Sequence, residues 1–194
     1  MKSIVGLGNP GHTFHRTRHN VGFLVIEACA MRHQVRIDQR VVSLADARPA
    51  SVYGDYTVGA QPVRLLMPLT MMNESGEALN GSTVPLQDLL IVCDDVNLPL
   101  GTIRLRPQGG AGGHHGLASC CAVLGTEDVP RLRVGVGIEP LPRDLEDFVL
   151  APFQASEWPL VQRAVEQAAE ACDSWVTEGI DVAMNRYNTA VQKT

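Results

Sequence analysis

Apolar positions along this chain recur in two periods, every second residue and every three to four, and the two kinds of stretch take turns. Residues 2–7 form a short β-branched run that enters a Gly/Pro turn, as a buried strand does. Asn20 is placed to cap a helix whose apolar residues Val21, Leu24, Val25, Ala28 and Cys29 keep the helical spacing through about Arg32. Runs 51–58 and 62–67 flank Gly59-Ala60-Gln61 and predict a hairpin. Asn73 or Ser75 then opens a short helix. The run LLIVCD at 89–94 is continuously apolar until its terminal acid, the pattern of a central strand covered on both faces. Alternating strands follow at 102–106 and 131–137, with a helix at 114–124 behind a Gly-rich loop. Over 156–176 the set Val161, Val165, Ala168, Cys172 and Trp175 forms one helical stripe, with Glu157, Glu166, Glu170 and Asp173 off it. Strands interleaved with helices predict an α/β fold, a three-layer sandwich around a central mixed, mostly parallel twisted sheet flanked by helices. Its 194 residues suit a single domain over 1–194.

Composition narrows the class. Hydrophobic residues make up 45% and charged ones 19%, enough apolar material for one core. No run approaches the roughly 18 apolar residues of a membrane span, and the start is too short for a signal-peptide core. A cytoplasmic protein without a membrane is therefore expected. The 5 cysteines are odd in number and contain no C-x-x-C pair, so they read as buried hydrophobes rather than a disulfide framework or a cysteine zinc site. The net charge of −5 argues against phosphate contact unless basic residues gather on one face.

GLGNPG at 6–11 satisfies G-x-G-x-x-G after a strand and invites a dinucleotide site. That site needs a helix to begin at the glycines, with its free N–H groups facing pyrophosphate. Pro10 removes one donor, and HTFHRTRH postpones the helix to about Asn20. No Walker lysine motif is present either. The polar residues at strand ends carry more: Asn9 after the first strand, Asn73 after the hairpin, Asp94 closing LLIVCD, and His19 just before a helix. Loops from several strands converge at such ends. A neutral imidazole can take a proton from water near neutral pH, an Asp can fix its tautomer, and Asn amides can donate to an oxyanion. This set suits hydrolysis by activated water with no metal, no cofactor and no covalent intermediate. Each residue alone has a plainer reading as a cap, a turn or a surface group. His15-x-x-x-His19 has the spacing of a zinc pair, but in a stretch not expected to be helical. Cys93 lies on a strand and points away from Asp94, which favours burial over nucleophilic work.

In order along the chain, GLGNPG, TRHNVGF, LTMMNESG, VCDDVNLPLG, GGAGGHHGL, RLRVGVG and DFVLAPF resemble the bacterial-type peptidyl-tRNA hydrolases over nearly the whole length. The resemblance implies an enzyme that cleaves the ester between a peptide and the 3′ ribose of tRNA, binding the acceptor stem, the 3′ end and the peptide as a monomer. It assigns the catalytic pair to His19 and Asp94. It assigns substrate contacts to Asn9, Asn73, Met72 and the residue at Phe14, where the family has Tyr. The family's G-G-H-N-G reads Gly112-Gly113-His114-His115-Gly116 here, so His115 replaces a substrate-holding Asn. Arg106 and Arg133 correspond to the residues that hold the tRNA 5′-phosphate, a family Lys becomes Ala118, and residues 138–153 correspond to a lid. By strand alternation Arg104 and Arg106 share a face, as do Arg131 and Arg133; neighbouring strands would make them one patch. Three other readings stay open: a non-enzymatic RNA-binding relative of the same fold, a metal-dependent phosphoesterase using Asp94 and Asp95, and a nucleotide site at the glycines.

Overall fold

The computed structural model describes residues 1–42 and 49–188. In chain order the strands are β1 (Lys2–Gly6), β2 (Gln39–Val42), β3 (Pro49–Val58), β4 (Gln61–Pro68), β5 (Leu89–Pro99), β6 (Ile103–Arg106) and β7 (Arg131–Gly137). The helices are α1 (Val21–His33), α2 (His115–Leu124), α3 (Leu145–Leu150), α4 (Trp158–Glu178) and α5 (Ile180–Tyr187), with a longer 3-10 helix at Met72–Leu79. One sheet holds all seven strands in the order β2-β3-β4-β1-β5-β7-β6. The central four, β4, β1, β5 and β7, run parallel, while β2, β3 and β6 join antiparallel at the two edges. The sheet is thus mixed, with its parallel part confined to the centre.

Alternation explains the two cores. Ile4, Leu90, Val92, Leu132 and Val134 face one side and pack with α1 and α4. Val5, Leu89, Ile91 and Cys93 face the other and pack with α2 and the 72–79 helix. A parallel strand covered on both faces has to be apolar at every position, and Leu89 through Cys93 is. The stripe foreseen on α4 is buried throughout, from Val161 to Trp175. The hairpin closes with Val58 opposite Gln61, so Gly59 and Ala60 form its turn.

Two expectations need correction. Asn20 precedes α1 but its side chain makes no cap bond; its amide is committed to the backbone of Asn9 instead. The 72–79 helix starts behind Met71 with no side-chain cap, so neither Asn73 nor Ser75 opens it. As expected, no α-helix opens at the glycines of 6–11: only a 3-10 turn at His12–Phe14 follows them, and α1 begins at Val21. All five cysteines are free and buried.

Gly22 fixes how α1 meets the sheet. A Cβ there would come within 2.4 Å of the Leu7 carbonyl oxygen and 2.6 Å of that of Val92. Only glycine lets the first turn of α1, and the His19 turn before it, approach the ends of β1 and β5. Gly22→Ala should lower stability by about 3 kcal/mol, because both obstacles are backbone. Urea unfolding of the variant against the parent checks this.

Candidate active site

The carboxyl ends of the central strands open into a cleft of about 630 Å³. Asn9, Phe14, His19, Met72, Asn73, Asp94, His115 and Arg133 all line it. Of the residues that the resemblance assigns to catalysis, substrate or phosphate, Arg106 alone lies outside, exposed at the far end of β6.

Asp94 ends the continuously buried run of β5 and is 3% exposed. Its Oδ1 accepts from His19 Nδ1 at 2.7 Å and from His114 Nε2 at 3.0 Å. His114 also caps α2, since its Nδ1 accepts the Leu117 N–H at 3.1 Å. That bond leaves Nδ1 bare and puts the ring proton on Nε2, facing Asp94. His19 by the same logic carries its proton on Nδ1, which leaves Nε2 free on the cleft side. Burial alone pushes the Asp94 carboxyl up; the interactions of His114 with the carboxylate, together with those of His19, outweigh it and hold the acid well below the usual carboxylate range.

His114 is the site residue that sequence reasoning missed; it read only as the start of a helix. The signal was present in its position as N-cap three residues before Leu117, but the contact with Asp94 depends on how the sheet brings the two together. Gly116 supports this corner, because a Cβ there would meet Met72 Sδ at 2.3 Å and His114 Cε1 at 3.1 Å.

Asn9 is buried, and its Oδ1 accepts the Met72 N–H at 2.7 Å. Its amide is thereby oriented with the NH₂ toward the cleft, and among the described residues that group has no protein acceptor. The side chain of Asn20 braces the same turn from behind, accepting from Asn9 N and donating to Asn9 O, both at 2.9 Å. Asn73 is exposed at the rim. The outer wall comes from α3, through Leu145, Glu146, Val149 and Leu150, within the 138–153 segment.

The arginine patch forms only in part. β6 and β7 do pair, with Arg104 opposite Arg133 and Arg106 opposite Arg131. Arg131 is 1% exposed, however, and spends its guanidinium on the carbonyls of Gly109, Gly110 and Glu127. It pins the Gly-rich loop and is not a surface charge. Arg133 donates to Asp95 at 3.1 Å and to the Gly110 carbonyl at 2.8 Å, and still lines the cleft. Arg104 and Arg106 are exposed.

The Asp94–Asp95 metal reading fails on geometry, since Asp94 serves two imidazoles while Asp95 serves Arg133 and the Asn97 N–H. His15 is exposed; the side chains that converge with His19 as a possible ligand set are Asp94 and His114, within 4.8 Å of one another. Both imidazole protons in that set already point at Oδ1. Cys93 is fully buried, and burial pushes its thiol far up, which leaves it no nucleophilic role.

The family model described as peptidyl-tRNA hydrolase matches residues 3–194. The chain belongs to the peptidyl-tRNA hydrolase family. Among its relatives, the peptidyl-tRNA hydrolase of Syntrophomonas wolfei is 44% identical, covering 97% of this chain and 100% of its own length. That of Symbiobacterium thermophilum is also 44% identical, over 97% and 99%. Among solved structures, the peptidyl-tRNA hydrolase of Acinetobacter baumannii superposes with a TM-score of 0.86 at 30% identity, over 97% of this chain and 95% of that one.

For this hydrolase, Asp94→Asn should remove roughly 2 kcal/mol of stability near neutral pH, because two donors lose a charged acceptor. A carboxyl held low in the folded state contributes above its unfolded value of about 4 and loses that contribution as pH falls further. The stability gap between parent and variant should therefore stay constant from pH 7 to about pH 5 and only begin to narrow below about pH 4, as read by urea unfolding across that range.

Proposed function

We propose that this chain hydrolyses the ester between a peptide and the 3′ ribose of tRNA, with His19 as general base toward water and no metal. The observation that carries the proposal is the His19–Asp94 bond of 2.7 Å, which leaves Nε2 on the cleft side. Water gives its proton to Nε2 as it attacks the ester carbonyl, and Asp94 stabilises the imidazolium that forms. The Asn9 amide, oriented by the Met72 N–H, donates to the carbonyl oxygen as its charge grows. Collapse of the tetrahedral species expels the ribose 3′ oxygen, which takes the proton back from His19. Asn73 holds the substrate at the rim, while Phe14 and Met72 supply apolar contact to the acceptor end and the peptide. Arg133 and Arg106 hold the tRNA phosphate, with Arg104 adding charge beside them. The exposed residues of this set are those a large polyanion can reach despite the net charge of −5.

The chain then acts as a single-domain monomer in the cytoplasm. No helix among the described residues is long and apolar enough to cross a membrane. The rival of a catalytically silent RNA-binding protein has less support, since an oriented imidazole with a bare nitrogen in the cleft is more than tRNA binding needs.

Release of the amino acid derivative from N-acetyl-aminoacyl-tRNA tests the reading. The parent should cleave it with or without chelator and spare free aminoacyl-tRNA, and His19→Ala should lower kcat about 10³-fold. Binding of tRNA by a folded parent without cleavage would favour the RNA-binding rival. His115 stands where the family has Asn, and imidazole offers one N–H where an amide offers two. His115→Asn should change KM about threefold and soften the loss of activity in acid, where an imidazole takes up a proton and an amide does not. A pH series of kcat/KM for both proteins checks it.

A further inference from the structure

His19 sits in a single turn, Arg18–Asn20, between two buried polar neighbours. Asn20 ties one flank to the turn after β1. Arg18 ties the other to a place far along the chain, and the machinery described above makes no use of it. Its side chain is 3% exposed and does not line the cleft. One nitrogen, Nη2, donates to both carboxylate oxygens of Glu157, at 2.9 and 2.8 Å. The other, Nη1, donates to the carbonyls of Pro152 at 3.0 Å and Ala151 at 3.3 Å. The guanidinium lies 4.3 Å from the centre of the Phe148 ring. Backbone bonds run alongside, from Arg18 N to the Ala151 carbonyl and from Phe153 N to that of Arg16. Glu157 is fully engaged as well, since its Oε2 also accepts the Gln154 N–H at 2.6 Å.

A buried ion pair is a poor source of stability, because apolar residues of the same volume hold a core as well or better. This one even leaves Arg18 Nε buried without a partner among the described residues. What it offers instead is direction: a planar fork fixes two segments relative to each other in a way that apolar packing does not. The segments are the turn carrying His19 and the junction of α3 with α4. α3 is also the outer wall of the cleft, through Leu145 and Val149.

We propose that the Arg18–Glu157 pair is a positioning device, which sets the His19 ring against Asp94 by fastening its turn to the base of the α3 wall. Arg18 acts through His19 and touches no reacting atom. The inference rests on the hydrolytic reading of the site, and its test has one arm that does not.

The test compares Arg18→Lys, Glu157→Gln and the double variant Arg18→Met/Glu157→Leu with the parent. The readouts are kcat and KM on N-acetyl-aminoacyl-tRNA, the melting temperature, and the NMR signal of the His19 Nδ1 proton. Arg18→Lys keeps the charge and loses the fork, so kcat should fall about tenfold or more, with KM within about twofold, since the phosphate contacts are elsewhere. The double variant should regain the parent's melting temperature but not its kcat. In the variants the His19 Nδ1 proton should lose the downfield shift that its bond to Asp94 confers. A folded double variant with kcat within about twofold of the parent would overturn the proposal, as would unfolding of all three variants, which would make the pair structural only. If the parent itself does not cleave, the hydrolytic reading has failed, and the proton signal still decides: an unchanged His19 Nδ1 resonance in Arg18→Lys refutes positioning.

Discussion

One carboxylate oxygen holds this site together. Asp94 Oδ1 takes a hydrogen bond from each of two imidazoles, and the two rings lie 4.8 Å apart, tilted by 44°. His19 comes just before α1 and His114 just before α2, helices that pack on opposite faces of the sheet. Asp94, midway along β5, therefore joins the two helical layers across the strand between them. A charge so buried is tolerable only with donors fixed around it. The same requirement that makes the site sound as structure fixes the His19 ring beside the cleft.

The cost of burying that charge explains much of the local design. Gly22 and Gly116 remove the side chains that would hold α1 and the 72–79 helix away from the centre. Asn20 gives up capping in order to fix the Asn9 turn, and Asn9 in turn receives the Met72 N–H. Arg131 secures the Gly-rich loop from which His114 emerges. Asn20, Asn9 and Arg131 are each spent on backbone near the site, while the Asn9 and Asn73 side chains and His19 line the cleft, the two amides as donors and the bare His19 Nε2 as an acceptor.

Charge is divided in the same way. Of the four arginines on paired β6 and β7, alternation puts all on one face, yet their roles part by depth. Arg131 is internal scaffold, Arg133 is shared between Asp95 and the cleft, and Arg104 and Arg106 stand in solvent. A chain with a net charge of −5 can in this way still present a small basic surface along β6 and β7, reaching the cleft at Arg133.

Local pattern alone was enough for the elements whose neighbours all agree. The α4 stripe, the LLIVCD strand and the hairpin at Gly59-Ala60 were legible because burial imposes a period on each of them. The family motifs named His19 and Asp94, and residue chemistry gave them coherent roles. Contacts between distant segments were not legible. His114 lies 20 residues from Asp94, and Arg18 lies 139 from Glu157. Nothing in either local sequence records the return of the chain. Arg131 and Arg104 look alike in the pattern, and only the fold of the Gly-rich loop over one of them separates scaffold from surface. Sequence by itself determined which groups were candidates for the chemistry, through residue type and period. Tertiary structure decided which of them meet, because hydrogen bonds of about 3 Å are set by how strands and helices pack and not by spacing along the chain.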